Sequence, residues 1–345
     1  MGAARLTRVS SGAALAAAAL AAAAGARPAR AQQPVIGLIT KTETNPFFVK
    51  MREGAQAAAA RGGARLLTAA GKNDGDNAGQ VTALENMVAA GAKVVLITVS
   101  DAKAIVPAVR RARARGVLVV ALDSPPDPAD AVDAVFATDN YQAGVLVGRY
   151  ARAALGNRPP KIATLDLLPG HPVGARRHNG FLSGFGLKAP DAASNTLGRP
   201  AEVVCMADSY GDQARGQTGM ENCLQKNPDI NVVYTINEPT AAGAATAMKA
   251  AGKSPSDYWL VSVDGGKDGV QAVQDGTIDA TSQQYPGKMV ELGCKAIVQI
   301  AKGGEKPTTS PGLDFFDTGV SLIAKDPAAG VESKDPAYGL ENAWG

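Results

Sequence analysis

The feature of this sequence that most limits its fold is a unit of one short apolar run and one helix, repeated along the chain. The first run, residues 35–40, is apolar without alternation, and the helix after it begins at Asn45-Pro46 and ends at Gly62-Gly63. An unbroken apolar run is typical of a strand covered on both faces, and Pro at the first turn and Gly after the last are typical helix ends. Repeated strand–helix units with short links predict parallel, doubly wound sheets.

These units fall into two series, one running to about residue 138 and the other starting near residue 139. Without a predicted leader of 31 residues, the chain of 345 keeps 314, which suits two domains of about 150 residues each. We therefore predict an α/β fold of two similar doubly wound parallel-sheet lobes. The chain from residue 309 onward is rich in Pro and Gly and is predicted to be extended, apart from one strand at 320–324.

The leader, residues 1–31, has the layout of a secretory signal peptide. Arg5 and Arg8 precede an uncharged Ala-rich run at residues 13–25, and Ala29-Arg30-Ala31 matches a small-x-small cleavage site. The run is short for a membrane span, which needs about 20 residues. A surface helix is the alternative, but such a helix needs a charged face. No Cys follows the cleavage site, so we expect a free periplasmic protein with no membrane anchor.

The chain contains three cysteines. An exported protein can form disulfides. Cys205 lies in a predicted strand and Cys223 in the helix that follows it, so a bridge between them is within reach. We predict this bridge and expect Cys294 to be a buried, free thiol.

The charge balance argues against a nucleic-acid partner. The chain has 35 Lys and Arg residues against 32 Asp and Glu, and four of the arginines lie in the leader, which leaves 31 bases against 32 acids. A near-neutral protein lacks the excess of positive charge that binds phosphate backbones.

The motifs give little support for an enzyme. Asp123 and Asp264 both end apolar strands and could form a catalytic carboxylate pair, but no G-x-S-x-G accompanies them. The two histidines, His171 and His178, are poorly spaced for a metal, and His171 is expected on the solvated surface. Neither G-x-G-x-x-G after the first strand nor a P-loop is present, so no cofactor is predicted. We predict a protein that is not an enzyme.

Polar side chains stand at the carboxyl ends of strands from both series. Ligands bind at these ends in doubly wound sheets, so side chains from two lobes can meet in a cleft. Planar polar groups suit adjacent sugar hydroxyls, and aromatic faces suit the C–H side of a sugar ring. Phe47 and Phe48 follow Asn45 closely and complete this set. The alternative is that both rings belong to a helix core and the polar groups are helix caps.

The order and spacing of these motifs resemble the type I periplasmic sugar-binding proteins, the ribose-binding-like family, over residues 34–323. The resemblance rests on Asn45-Pro46-Phe47-Phe48, Val120-Ala121-Leu122-Asp123, Ala137-Thr138-Asp139-Asn140, Arg177-His178-Asn179-Gly180-Phe181, Asn237-Glu238, Val263-Asp264-Gly265 and Gln284-Tyr285-Pro286. The sequence resembles the fructose-binding subgroup more closely at Lys41-Thr42-Glu43, Asp74-Gly75-Asp76-Asn77, Tyr210-Gly211-Asp212-Gln213, Ser282-Gln283-Gln284-Tyr285-Pro286 and Trp344-Gly345.

The resemblance implies a set of residues that bind one monosaccharide. Phe47 and Phe48 would stack on the sugar ring, and polar side chains would bind its hydroxyls. The polar positions implied are Asn45, Asp123, Asp139, Arg177, Asn237, Asp264 and Gln284.

Three positions depart from the ribose-binding pattern. Lys41 stands where that family has a small Ser, although Lys41 could instead pair with Glu43. Ser124 stands where it has an Arg, and Tyr210 is the candidate for a third aromatic residue. These departures argue against ribose and favour another monosaccharide, with fructose as the expectation.

The resemblance also implies three chain crossings between the lobes, expected near Asp139, Tyr285 and Thr318. The lobes would comprise residues 33–138 with 286–318, and 139–285 with 319–345. A monomer would close on the sugar and deliver it to the membrane permease of an ABC importer. Alternatives are a ligand-loaded sensor protein that reports to a chemoreceptor or sensor kinase, and a sugar-responsive repressor, which would need an N-terminal DNA-binding segment.

Overall fold

The computed structural model describes residues 33–345, so the predicted signal peptide lies outside the described part of the chain. The described residues form two six-stranded sheets. None of the helices in this range is long and apolar enough to cross a membrane.

The first sheet has the strand order β11-β5-β4-β3-β1-β2, and all of its strand pairs are parallel. Its strands are β1 (Val35–Thr40), β2 (Arg65–Ala70), β3 (Ala92–Ile97), β4 (Leu118–Leu122), β5 (Ala134–Ala137) and β11 (Phe316–Asp317). The central strands are buried on both faces, as their unbroken apolar sequences predict.

The second sheet has the order β12-β10-β9-β8-β6-β7 and is parallel except at its edge, where β12 runs antiparallel to β10. Its strands are β6 (Ile162–Asp166), β7 (Val203–Asp208), β8 (Val232–Thr235), β9 (Trp259–Asp264), β10 (Ala280–Gln283) and β12 (Ser321–Ala324).

Helices cover both faces of each sheet. Within residues 33–345 they are α1 (Pro46–Arg61), α2 (Asn77–Ala89), α3 (Val106–Ala114), α4 (Asn140–Leu155), α5 (Pro172–Phe185), α6 (Gln213–Lys226), α7 (Glu238–Ala250), α8 (Lys267–Asp275), α9 (Pro286–Ala301) and α10 (Pro336–Asn342). In the first lobe, α2 and α3 contribute to the apolar core on one face of the sheet, and α1 and α9 to that on the other. In the second lobe, α6, α7 and α8 lie opposite α4 and α5. The prediction of two doubly wound lobes is confirmed.

The chain passes between the sheets three times: between β5 and α4, between β10 and α9, and between β11 and β12. The sheets therefore share three neighbouring connections, and the carboxyl ends of their parallel strands face a common cleft.

The structure joins Cys205 and Cys223 in a disulfide, as predicted, and leaves Cys294 free and half-buried. The prediction for the last residues was wrong in one respect. They are not extended after β12, because Asp335 caps helix α10 through the Tyr338 backbone N–H, and α10 packs on α8.

Candidate functional site

One cavity lies between the lobes and receives side chains from both. The first lobe contributes Lys41, Asn45, Phe47, Phe48, Asp74 and Asp123. The second lobe contributes Leu167, Val173, Arg177, Ile236, Asn237, Asp264 and Gln284. The charged members are almost fully buried: Lys41 is 2% exposed, and Arg177 and Asp264 are each 4% exposed. The lobes are therefore closed over the site.

The cavity is built from segments that directly follow strands, and two of its asparagines also start helices. Asn45 Oδ1 accepts from the Phe47 backbone N–H at 3.0 Å and caps α1. Asn237 Oδ1 accepts from the Thr240 N–H at 3.1 Å and caps α7. Asn45 and Asn237 therefore both cap a helix and line the cavity, because helices start where strands end at this edge of each sheet.

In the first lobe, Lys41 and Asp123 form a buried ion pair. Lys41 Nζ lies 3.1 Å from Asp123 Oδ2 and donates to Ser124 Oγ at 2.7 Å. The Ser124 hydroxyl donates in turn to Asp123 Oδ2 at 2.8 Å. Lys41 therefore pairs with Asp123 and not with Glu43, so the alternative raised from the sequence was wrong.

In the second lobe, Asp264 is held by Arg177 and Gln284. Gln284 Nε2 donates to Asp264 Oδ1 at 2.7 Å, and Arg177 Nη1 lies 3.5 Å from the same oxygen. Arg177 Nε donates to Asn140 Oδ1, and Nη1 donates to the Ile236 carbonyl. The guanidinium is therefore fixed on two sides by groups of its own lobe.

Both aspartates adopt a backbone conformation that side-chain-bearing residues rarely take. The φ angle is 65° at Asp123 and 145° at Asp264. Such conformations cost roughly 1–3 kcal/mol each and concentrate at ligand and active sites. Here they turn each carboxylate from the end of its strand into the cleft.

Each of these polar groups is anchored by one atom and leaves another unused. Among the described residues, no protein partner is within hydrogen-bonding distance of Asp123 Oδ1, Asp264 Oδ2 or Arg177 Nη2. The side-chain amide nitrogen Nδ2 of Asn45 is likewise without a partner in that range. Two carboxylate acceptors, one guanidinium donor and one amide donor can therefore bind a polar ligand in a fixed arrangement.

The aromatic wall consists of Phe47 and Phe48, which are each 4% exposed. Their rings meet edge to face, with centroids 5.4 Å apart. Lys41 Nζ lies 5.9 Å from the centroid of the Phe48 ring. Both rings also belong to the apolar core over β1 and β4. The core role raised from the sequence as an alternative therefore holds, and the same two rings also line the cavity.

Asp74 is a cavity residue that the sequence did not reveal. Asp76, two residues further on, caps α2 through the Gly79 N–H. Asp74 instead faces the cavity, and its carboxylate has no hydrogen-bond partner among residues 33–345. Burial raises the pKa of Asp74 to about 6; nearby Lys41 opposes this rise, Asp123 adds to it, and Arg177 opposes it.

Asp139 and Tyr210 lie outside this cavity. Asp139 caps α4 through the Gln142 N–H, and its own N–H donates to Asp317 Oδ1 at 3.0 Å. Tyr210 lines a wider neighbouring groove of about 890 Å³, with the Arg215 guanidinium 4.3 Å from its ring centroid. This groove also contains Asn45, Asp74 and Asp264 of the cavity, and ligand contact by Asp139 and Tyr210 stays a prediction.

The prediction for His171 was wrong, because it is buried and not solvated. It is 4% exposed, and neither ring nitrogen has a hydrogen-bond partner in the described part of the chain. Burial, with Lys41 and Arg177 nearby, holds its pKa well below the ordinary value, so the ring is neutral. The position just before Pro172 at the start of α5 gave no sign of this burial.

Two α/β lobes that enclose one polar cavity define a two-lobed binding protein. Residues 36–306 match the model of the periplasmic binding protein domain, and the chain belongs to this family. The ribose import binding protein of Bacillus subtilis is 31% identical over 268 residues, which cover 78% of this chain and 82% of the relative. The D-ribose/D-allose-binding protein of Pseudomonas aeruginosa is 27% identical over 305 residues, with 85% and 89% covered.

Solved structures give the same family relationship. An ABC transporter solute-binding protein from Agrobacterium vitis with bound D-fucose is 28% identical, with a TM-score of 0.72 and coverage of 84% of this chain and 95% of that one.

Proposed function

We propose that this protein captures one monosaccharide in the bacterial periplasm by closing its two lobes, and delivers it to the permease of an ABC importer. The observation that carries the proposal is the enclosed cavity, in which both lobes present anchored polar groups with unused atoms beside two aromatic rings. Relatives with this fold bind ribose, allose and fucose. The protein would act as a free monomer.

The polar groups supply a large part of the binding energy that such a role requires. A hydrogen bond to a charged partner contributes roughly 1.5–3 kcal/mol, and Asp123, Arg177 and Asp264 can each make at least one. A dissociation constant of 1 μM corresponds to about −8 kcal/mol. Three such bonds together contribute roughly 4.5–9 kcal/mol; ring contacts with Phe47 and Phe48 add to this sum, and the cost of ordering is subtracted from it.

The three passages between the sheets form the proposed hinge. We assign residues 33–138 with 286–318 to one lobe and 139–285 with 319–345 to the other. The passages run side by side, so a rotation about them would open the cleft without disturbing either sheet.

Binding without turnover suits the way in which the carboxylates are held. Asp123 is paired with Lys41 and Asp264 with Arg177, so each is fixed as a hydrogen-bond acceptor. Asp123 or Asp264 would have to act as a free acid or nucleophile in a glycosidase. We therefore propose a protein that is not an enzyme.

For the ligand, we propose a fructose-like monosaccharide. The support is the likeness to the fructose-binding subgroup and the presence of Lys41 and Ser124 at positions where the ribose-binding pattern differs. The ribose- and allose-binding relatives make D-ribose and D-allose the competing sugars.

A thermal-shift panel of D-fructose, D-ribose, D-allose and D-fucose tests the proposal with the chain from residue 32 onward. A sugar that binds the native state raises its melting temperature by mass action. The sugar with the largest shift is then titrated by calorimetry. A flat panel, with no shift at millimolar concentrations, would contradict monosaccharide binding.

Asp264→Asn tests the site itself. We expect affinity to fall by at least about tenfold, the equivalent of one charged hydrogen bond, while the sugar-free protein keeps its fold. Asp208→Asn is the matched control, because Asp208 also ends a strand but is exposed and outside the cavity. Equal affinity in the two variants would refute the assigned site.

A further inference from the structure

Trp344 lies between the two lobes. It follows α10, which packs on α8 of the second lobe, yet its indole ring belongs to the apolar core of the first lobe. The side chain is 6% exposed. A large side chain placed in this way is in contact with both lobes at once.

On the first lobe, the indole contacts the aromatic wall of the cavity. The rings of Trp344 and Phe47 meet edge to face, with centroids 5.3 Å apart, and Phe47 meets Phe48 in the same manner. Edge-to-face pairs fix the relative orientation of their rings. Trp344 thus contacts Phe47, which in turn contacts Phe48.

On the hinge, Trp344 Nε1 donates to the backbone carbonyl of Gln284 at 2.9 Å. The Gln284 side chain in turn connects the lobes, since its Nε2 donates to Asp264 and its Oε1 accepts from the Thr138 hydroxyl at 3.0 Å. The indole therefore holds the backbone of a residue whose side chain orients Asp264.

On the second lobe, Trp344 packs against the turn that follows Asp264. Its carbonyl accepts from the Lys267 N–H at 2.9 Å. A Cβ at Gly266 would lie only 3.3 Å from the indole atom Cζ3, so glycine allows this close approach. Glu238 fixes the other side of the turn by accepting from the N–H groups of Gly265 and Gly266.

We infer that Trp344 is a positioning residue for the ligand cavity, which sets Phe47, Gln284 and the Asp264 turn in their binding arrangement and joins the lobes when the cleft is closed. The inference rests on the proposed function. Because its contacts span both lobes, they stabilise the closed form, and their loss accelerates release of the ligand more than it slows capture.

The test uses Trp344→Ala, which removes ring and donor, and Trp344→Phe, which keeps a ring and removes the donor. Trp259→Phe is the matched control, because Trp259 begins β9 and is thus at the opposite end of that strand from Asp264. The probe is whichever of D-fructose, D-ribose and D-allose binds the unaltered protein most tightly. We expect affinity to fall by about tenfold or more in Trp344→Ala and by a few-fold in Trp344→Phe, with Trp259→Phe unchanged.

Tryptophan emission gives a second readout that a purely structural role would not affect. The chain has two tryptophans, so Trp259→Phe should keep the emission change on sugar addition and Trp344→Phe should lose it. Unchanged affinity in Trp344→Ala overturns the inference while the proposed function stands. If circular dichroism shows that Trp344→Ala is unfolded, the deciding variant is Trp344→Phe, and unchanged affinity in that variant overturns the inference. Absence of sugar binding in the unaltered protein overturns both.

Discussion

At the scale of single residues, a cavity residue could be predicted from the sequence when it lies at or just after the end of a strand. Asp123 and Asp264 end apolar runs and Asn45 starts the helix after the first run, so the sequence places them at the cleft. Asp74 and Trp344 could not be found in this way. Asp74 looks like part of a capping turn, and Trp344 reaches the cavity wall only through contacts with residues far away in the sequence.

At the scale of secondary-structure elements, helix positions could be predicted from Pro, Gly and capping residues, but the distance between packed helices could not. Helices α4 and α5 pack with their backbones in close contact through Gly144, Gly148, Gly180 and Gly184. A Cβ at any of these positions would overlap the backbone of the facing helix. The sequence shows these glycines but not which helix they face, because that depends on sheet order.

Gly144→Ala should weaken both the fold and the site. Its Cβ would overlap the carbonyl oxygen of Arg177, and overpacking of this kind costs roughly 1–3 kcal/mol. If α5 moves away, Arg177 moves with it, so affinity should also fall. Urea unfolding and sugar titration measure the two effects.

Gly54→Ala in α1 is the control, because its Cβ would lie 3.6 Å from Val290, an ordinary contact. Alanine is the better helix former by about 1 kcal/mol, so this variant should be as stable as the unaltered protein or more so. If both variants had the same stability, α4 and α5 would not be packed as closely as described.

At the scale of the whole molecule, the doubled strand–helix series predicts two lobes because each parallel sheet needs helices on both faces. The strand predicted at 320–324 is present as β12, but neither its antiparallel position at the sheet edge nor helix α10 could be predicted from this pattern. Both lie after the last crossing, where β12 joins a sheet that is already complete in its parallel part. Such an addition is set by the free edge of β10 and not by any local periodicity.

Burial of the charged groups in the closed cleft predicts that the protein opens in solution when no sugar meets their unused atoms. Lys41, Arg177 and Asp264 are nearly inaccessible to water in the closed form, and buried charges with unused hydrogen-bonding atoms are costly. Opening hydrates those atoms, whereas a bound sugar replaces the water and restores the closed form. The radius of gyration from small-angle X-ray scattering should therefore decrease when saturating sugar is added. Asp264→Asn at a sugar concentration that saturates only the unaltered protein should keep the larger value. A radius that does not change on binding, in a protein whose melting temperature does rise, would mean that the cleft admits its ligand without a hinge motion.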